Sequence, residues 1–212
     1  FKQKSAYEIR PRDWSSDVCS SDLVEKLLRT NMRKELDELL CSKYPEIFKE
    51  RHGDPRNTAM VWGFSCGDGW FSLIDQLCLT LSSEAIRLRD DIKHMEDILA
   101  EQDKSKWQQW QHAAYNEEKL AEKRNLLAEA VKKIPVALQV KEKFGGLRFY
   151  VHGGTEEHQN YVRFAEGLSY RICEECGAME GTKLYTMGWH RVLCPKHAIA
   201  EYGEDLNEAD DE

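Results

Sequence analysis

Apolar positions recur first at helical spacing, then alternate, then thin out into a cysteine-bearing segment. Leu28, Met32, Leu36, Leu39 and Leu40 repeat at three- to four-residue intervals and predict a helix over residues 27–40. Pro45 suits the first turn of a short helix through Phe48 and Lys49, ending near Gly53. The apolar run Met60-Val61-Trp62 predicts a strand. Trp70, Ile74, Leu77 and Leu81, spaced 4, 3 and 4 apart, give one buried helix face, with Asp68 as its expected N-cap. No Gly or Pro occurs in the 65 residues from Trp70 to Ile134, a strongly helical stretch by exclusion. Two stripes, Leu88, Ile92, Met95, Leu99 and Leu120, Leu127, Val131, Ile134, flank the polar segment Glu101–Lys106. They predict a helical hairpin or antiparallel coiled-coil arm over residues 83–133; the alternative is one helix about 75 Å long.

At Pro135 the period changes to two. Val136, Leu138 and Val140 alternate with Ala137, Gln139 and Lys141, and beyond Phe144-Gly145-Gly146 so do Leu147, Phe149 and Val151 with Arg148, Tyr150 and His152. This predicts a β-hairpin with a short glycine loop. Thr155 then caps a helix whose apolar face is Tyr161, Ala165, Leu168 and Ile172. The fold class expected is α+β: a helical body with a long helical arm, a β-hairpin and a small C-terminal module. Its segments are a leader (1–23), an N-terminal helical region with a glycine loop (24–82), the arm (83–134), the hairpin and helix (135–172), the module (173–202) and an acidic, disordered tail (203–212).

The leader changes how much of the chain counts. Asp13-Trp14-Ser15-Ser16-Asp17-Val18-Cys19-Ser20-Ser21-Asp22-Leu23 reads as the in-frame translation of a sequencing-library adapter, and residues 2–9 resemble the other end of that oligonucleotide. The segment is expected to be foreign to the fold, with Met32 as a plausible natural start; the alternative is an ordinary polar leader. Charge is equally localised. Seven acids and no base follow from Glu201 onward, which accounts for nearly all of the net −8 and leaves the remainder close to neutral. A strongly basic nucleic-acid binder is therefore not indicated, and no apolar run is long enough for a membrane span. Seven cysteines, an odd number, are too few for a disulfide scaffold. Free thiols fit a reducing compartment, so the bacterial cytoplasm is the expected location.

The strongest chemistry lies at the C-terminal end. Cys173-Glu174-Glu175-Cys176 is followed, after 17 residues, by Cys194-Pro195-Lys196-His197. Two ligand pairs of this spacing fit tetrahedral zinc. Residues 183–185 and 189–193 predict a small hairpin turned at Met187-Gly188, and Pro195 starts a last helix that carries His197. Knuckle, hairpin and ligands at a helix start follow the treble-clef plan, with a zinc ribbon as the alternative. Three thiolates and one imidazole saturate the ion, so the Zn2+ is expected to be structural. His190 is a substitute ligand, or the base in a nuclease reading; that reading suffers because His197 is already committed to zinc.

Weaker signals complete the inventory. Cys66, Asp68 and His52 offer a nucleophile, an orienting acid and a base for a small hydrolase, yet a buried thiol, a helix cap and a surface histidine explain them equally. Trp62, Asp68 and Trp70 are candidates to line a ligand pocket around the glycine loop, which lacks the Lys-Ser/Thr ending of a phosphate-binding loop. Trp107 and Trp110 stand three apart, as a packing seam or a docking site on one helix face. Residues 132–200 hold ten Lys/Arg against seven acids, and Arg148 and Tyr150 share the hairpin face opposite the core as a candidate nucleic-acid contact.

These motifs taken together resemble a family of uncharacterised proteins recurring in phages, prophages and bacteria. The resemblance rests on Tyr44-Pro45-Glu46-Ile47-Phe48, on Trp62-Gly63-Phe64-Ser65-Cys66-Gly67-Asp68-Gly69-Trp70, on Lys141-Glu142-Lys143-Phe144-Gly145-Gly146-Leu147-Arg148-Phe149-Tyr150, and on the two cysteine pairs. It implies a zinc-bearing phage or bacterial protein and carries over no catalytic residue; the arm looks like an insertion. The expected function is a non-enzymatic interaction module for nucleic acid or a host protein, without a small-molecule cofactor or membrane contact. The alternative is a small hydrolase or nuclease using His190 or Cys66 and Asp68.

Overall fold

The computed structural model describes residues 31–101, 105, 107–187 and 189–203. The adapter-like leader, Leu28 and the acidic tail lie outside the described residues.

The first helix, α1 (Lys34–Lys43), is shorter than its apolar spacing predicts. Met32 is buried ahead of it and Leu39 is half exposed, while Leu40 and Asp37 face inward. Asp37 explains that orientation. Its carboxylate accepts from Nε and Nη2 of Arg51 at 3.0 Å each, and Arg51 Nη1 donates to the Val61 carbonyl at 2.8 Å. This buried pair gathers residues 45–62 into turns, including short 3-10 segments at Lys49–His52 and Met60–Trp62. Met60–Trp62 is thus not the predicted strand. Ala59 N–H and Thr58 Oγ1 both donate to the Leu138 carbonyl, so the segment meets the sheet end-on, burying Met60 and leaving Trp62 75% exposed.

Strands β1 (Val136–Lys143) and β2 (Gly146–His152) form an antiparallel pair. Phe144 and Gly145 turn it, both in the left-handed region at φ 55° and 76°, as a two-residue type I′ hairpin requires. The predicted inward set on β1 is broken by a register shift between Ala137 and Gln139. Beyond this bulge the buried residues are Ala137 and Val140, not Val136, Leu138 and Val140. The outer edge of β1 finds its partners in loop backbone: Ala137 N–H donates to Ile47, and Ser65 N–H donates to Val140 while its carbonyl accepts from Glu142. Turns following α1 thereby cover an edge that would otherwise be open.

Helix α2 (Phe71–Leu81) buries Ile74, Leu77 and Leu81 as its spacing predicts, and Trp70 just before it is also buried. Helix α3 (Ser83–Leu99) leads into the arm, where α4 (Gln109–Ala114) occupies the reversal and α5 (Glu117–Lys133) returns antiparallel. Ile92, Met95 and Leu120 form a cluster of their own, and Lys123–Asp91 and Arg124–Glu96 bridge the two long helices. Trp107 precedes α4 and packs on His112 and Tyr115 whereas Trp110 is 60% exposed, so the two tryptophans do not share one helix face.

Helix α6 (Glu156–Ser169) is capped by Thr155, whose hydroxyl accepts from His158 N–H. Its buried face is Val162, Ala165 and Ser169; Tyr161 points outward to Glu157 instead of inward. The polar side chains set this rotation. Ser169 Oγ and the Glu166 carboxylate accept from the Leu147 and Phe149 N–H groups, satisfying the free edge of β2. Helices α2 and α6 and the hairpin enclose one core holding Phe48, Phe64, Trp70, Ile74, Leu147 and Phe149. No helix among the described residues is long and apolar enough to cross a membrane.

Candidate metal centre

The C-terminal unit is built from three short pieces. Residues 173–177 form a knuckle closed by Gly177 N–H to the Cys173 carbonyl at 2.8 Å, with Cys173 N–H returning to Ala178. Strands β3 (Lys183–Tyr185) and β4 (Arg191–Leu193) pair antiparallel, shorter than the predicted 189–193 segment. Helix α7 (Pro195–Tyr202) begins with Pro at its first position and has Cys194 as N-cap. Glu174 N–H donates to Val192 at 2.9 Å, which ties knuckle to hairpin.

This arrangement brings Cys173, Cys176, Cys194 and His197 together, with every ligand atom within 4.8 Å of the others. The spacing tests the fit to zinc. Bonds of about 2.3 Å to sulfur and about 2.0 Å to nitrogen give tetrahedral edges of about 3.8 Å (S–S) and about 3.6 Å (S–N). Cys176 Sγ and Cys194 Sγ are 3.8 Å apart, and Cys173 Sγ and His197 Nδ1 are 3.6 Å apart. Cys194 Sγ to His197 Nδ1 is tighter, at 3.2 Å. The sulfurs are too far apart for disulfides and at the right distance to share one ion.

The two buried thiols differ in ways their positions explain. Burial pushes the Cys173 thiol up to about 11. Burial also raises Cys194, but the His197 backbone N–H and ring outweigh it and bring this helix-start thiol down to about 7. A dication removes the cost at Cys173, because metal-bound thiols are deprotonated. His190, the substitute ligand, stands outside the cluster with its ring 5.9 Å from Phe144.

Behind the knuckle lies a contact that neither motif announced by itself. The glycine loop of residues 63–70 is the knuckle's seat. Gly69 N–H donates to the Glu174 carbonyl at 2.8 Å, Gly67 N–H to the Glu174 carboxylate at 3.1 Å, and Trp70 Nε1 to the Ile172 carbonyl at 2.9 Å. A Cβ on Gly69 would overlap the Cys173 carbonyl oxygen and come within 2.5 Å of Gly177 N; one on Gly67 would lie 2.9 Å from Glu174 Cγ. Those positions are glycine because backbone meets backbone there. Glu174 itself is 2% exposed, and burial pushes its carboxyl up to about 7 against the pull of Arg191. Arg191, also paired to Glu175, approaches Glu174 at 3.5 Å from the hairpin side.

No protein-family model matches the chain, and no curated protein or solved structure matches it either. The site therefore stands on its own geometry.

The other sequence-derived candidates scatter. Trp70 is fully buried, so it packs in the core and lines no ligand pocket. Asp68 does not cap α2; its carboxylate accepts from the Arg33 N–H at 2.8 Å and pairs with the Arg33 guanidinium, anchoring the start of α1. Trp62 is exposed and apart from both. Cys66 is fully buried, its thiol held well above 9.0 by burial and by Glu174 and Asp68, while His52 lies on the surface. An enclosed, protonated thiol is the reverse of an activated nucleophile. Arg148 is committed to the Tyr170 hydroxyl and the Leu147 carbonyl, and Tyr150 is 42% exposed with Lys141 Nζ 5.6 Å from its ring centre. The sequence reading missed Glu174 and Arg191 as joint residues and Phe144 and Trp189 as exposed aromatics. The acids inside the Cys-x-x-Cys loop were the one available signal.

Proposed function

We propose that the C-terminal unit is a treble clef holding one structural zinc on Cys173, Cys176, Cys194 and His197, and that the chain is a non-enzymatic interaction protein of the phage and bacterial type its motifs resemble. The single observation that carries this is the convergence of three thiols and one imidazole at tetrahedral spacing on the rear of a seat formed by the glycine loop. Bound there, zinc has no open position for water and supplies folding energy rather than hydrolytic chemistry. The knuckle and the start of α7 supply the ligands, the hairpin closes over them, and the seat orients the unit on the body. What this rigid frame presents outward is the surface around the β1–β2 turn and the β3–β4 hairpin.

The test is capture of partners from host lysate by the zinc-loaded full chain, with nuclease treatment in parallel and a chelated sample beside it. Retention that disappears on chelation is the expected result. Hydrolytic turnover that survives chelation but is lost with Asp68→Ala or His190→Ala would replace this reading with an enzymatic one.

A further inference from the structure

Resting on that reading, we infer that the groove between the β1–β2 turn and the β3–β4 hairpin binds single-stranded nucleic acid, stacking bases on Phe144 and Trp189 and meeting phosphates with Lys141 and Lys143. The groove measures about 450 Å3 and is lined by Glu142, Lys143, Phe144, Trp189 and His190. Phe144 is 63% and Trp189 78% exposed, two large rings in water on opposite sides of one cleft. The backbone of Phe144 sharpens the point. At φ 55° it occupies a turn position where asparagine or glycine is favoured, so the phenylalanine serves neither the turn nor the core.

Charge identifies the occupant. Lys143 Nζ lies 5.4 Å from the Phe144 ring centre and Lys141 Nζ 5.6 Å from that of Tyr150. Among the described residues neither lysine pairs with a carboxylate, whereas Lys119, Lys123, Arg124 and Lys132 of the arm all do. Glu142, the acid in the groove wall, is turned onto the Gly145 N–H. Exposed ring faces flanked by uncommitted ammonium groups are what sequence-tolerant single-strand binding uses, and a duplex offers no free base to stack.

The experiment is fluorescence anisotropy of labelled oligo(dT) and oligo(U), about 12 nucleotides long, with the zinc-loaded full chain across a salt series. Binding should weaken steeply with salt, and Lys141→Gln with Lys143→Gln should flatten the log–log slope by roughly one unit. Trp189→Ala and Phe144→Gly should each weaken binding about tenfold, while Phe144→Gly leaves the melting temperature unchanged or higher because glycine relieves the turn. Absence of salt-sensitive binding overturns the inference, as does an equal loss with Trp62→Ala, an exposed tryptophan outside the groove. Capture of a protein through Phe144 with no oligonucleotide binding also overturns it, in favour of a protein-docking face, and leaves the zinc-fastened interaction reading standing. A purified chain without zinc strikes that underlying reading, and this one with it.

Discussion

In the arm, α3 and α5 each bury one stripe of a repeating pattern, and their charged flanks pair across the hairpin at Lys123–Asp91 and Arg124–Glu96. At the metal joint the small cluster of Cys173, Leu193, Cys194 and Ala198 is far too little to hold a fold. Order there comes from backbone hydrogen bonds between segments more than a hundred residues apart, such as Gly67 to Glu174, and from four ligands converging on one point. The arm is local, additive and cheap to perturb. The joint is non-local, and each part depends on the rest.

Metal removal should break the comparison most sharply. Structural zinc contributes about 10–16 kcal/mol in small units of this kind, so chelation or Cys194→Ser should unfold residues 173–202 and release the glycine loop. Hydrogen exchange should then lose protection at Gly69 and at the Trp70 indole while α3 and α5 keep theirs. Retained protection at Gly69 would uncouple seat from knuckle.

A side chain at the seat comes next. Gly69→Ala forces its Cβ into the Cys173 carbonyl, backbone that cannot move without disturbing a ligand. We expect a loss of about 3 kcal/mol in denaturant melts together with weaker zinc retention. Leu120→Ala, in the arm, should cost about 2–3 kcal/mol with zinc affinity untouched, since Leu120 packs only within the arm cluster.

These contrasts also show what was legible in the sequence. The arm was, because Ile92, Met95 and Leu120 repeat at a fixed period. The ligands were too, because tetrahedral geometry imposes a spacing on Cys173, Cys176, Cys194 and His197. The seat was not. Gly67, Asp68 and Gly69 look like a ligand loop, Glu174 looks like a surface acid, and no periodicity links residues 107 positions apart. Trp70 carried both a core stripe and a pocket reading, and its indole bond to Ile172 decides for the core. The bulge before Gln139 and the rotation of α6 escaped for a related reason. Hydrogen-bond demand at strand edges set them, and that demand leaves no mark in an apolar pattern.

Smaller effects sharpen the picture. Burial holds the Cys66 and Cys78 thiols well above 9.0 in the folded chain, whereas unfolded they ionise normally. Their contribution is complete below the ordinary thiol range and is lost as pH rises, by about 1 kcal/mol each near pH 9.5. Melts between pH 8 and 10 should show that decline, and Cys66→Ala should reduce it. Smallest of all, Arg124→Ala removes a half-exposed pair to Glu96 and should change stability by less than about 1 kcal/mol, measurable only against Leu120→Ala in the same background.

X-ray absorption at the zinc edge, on the purified full chain, bears most directly on the claim that four side chains share one ion. One zinc per chain with three sulfurs at about 2.3 Å and one nitrogen at about 2.0 Å is the predicted result. A chain that binds no zinc, or a zinc shell containing water oxygen in place of one of these ligands, would contradict it.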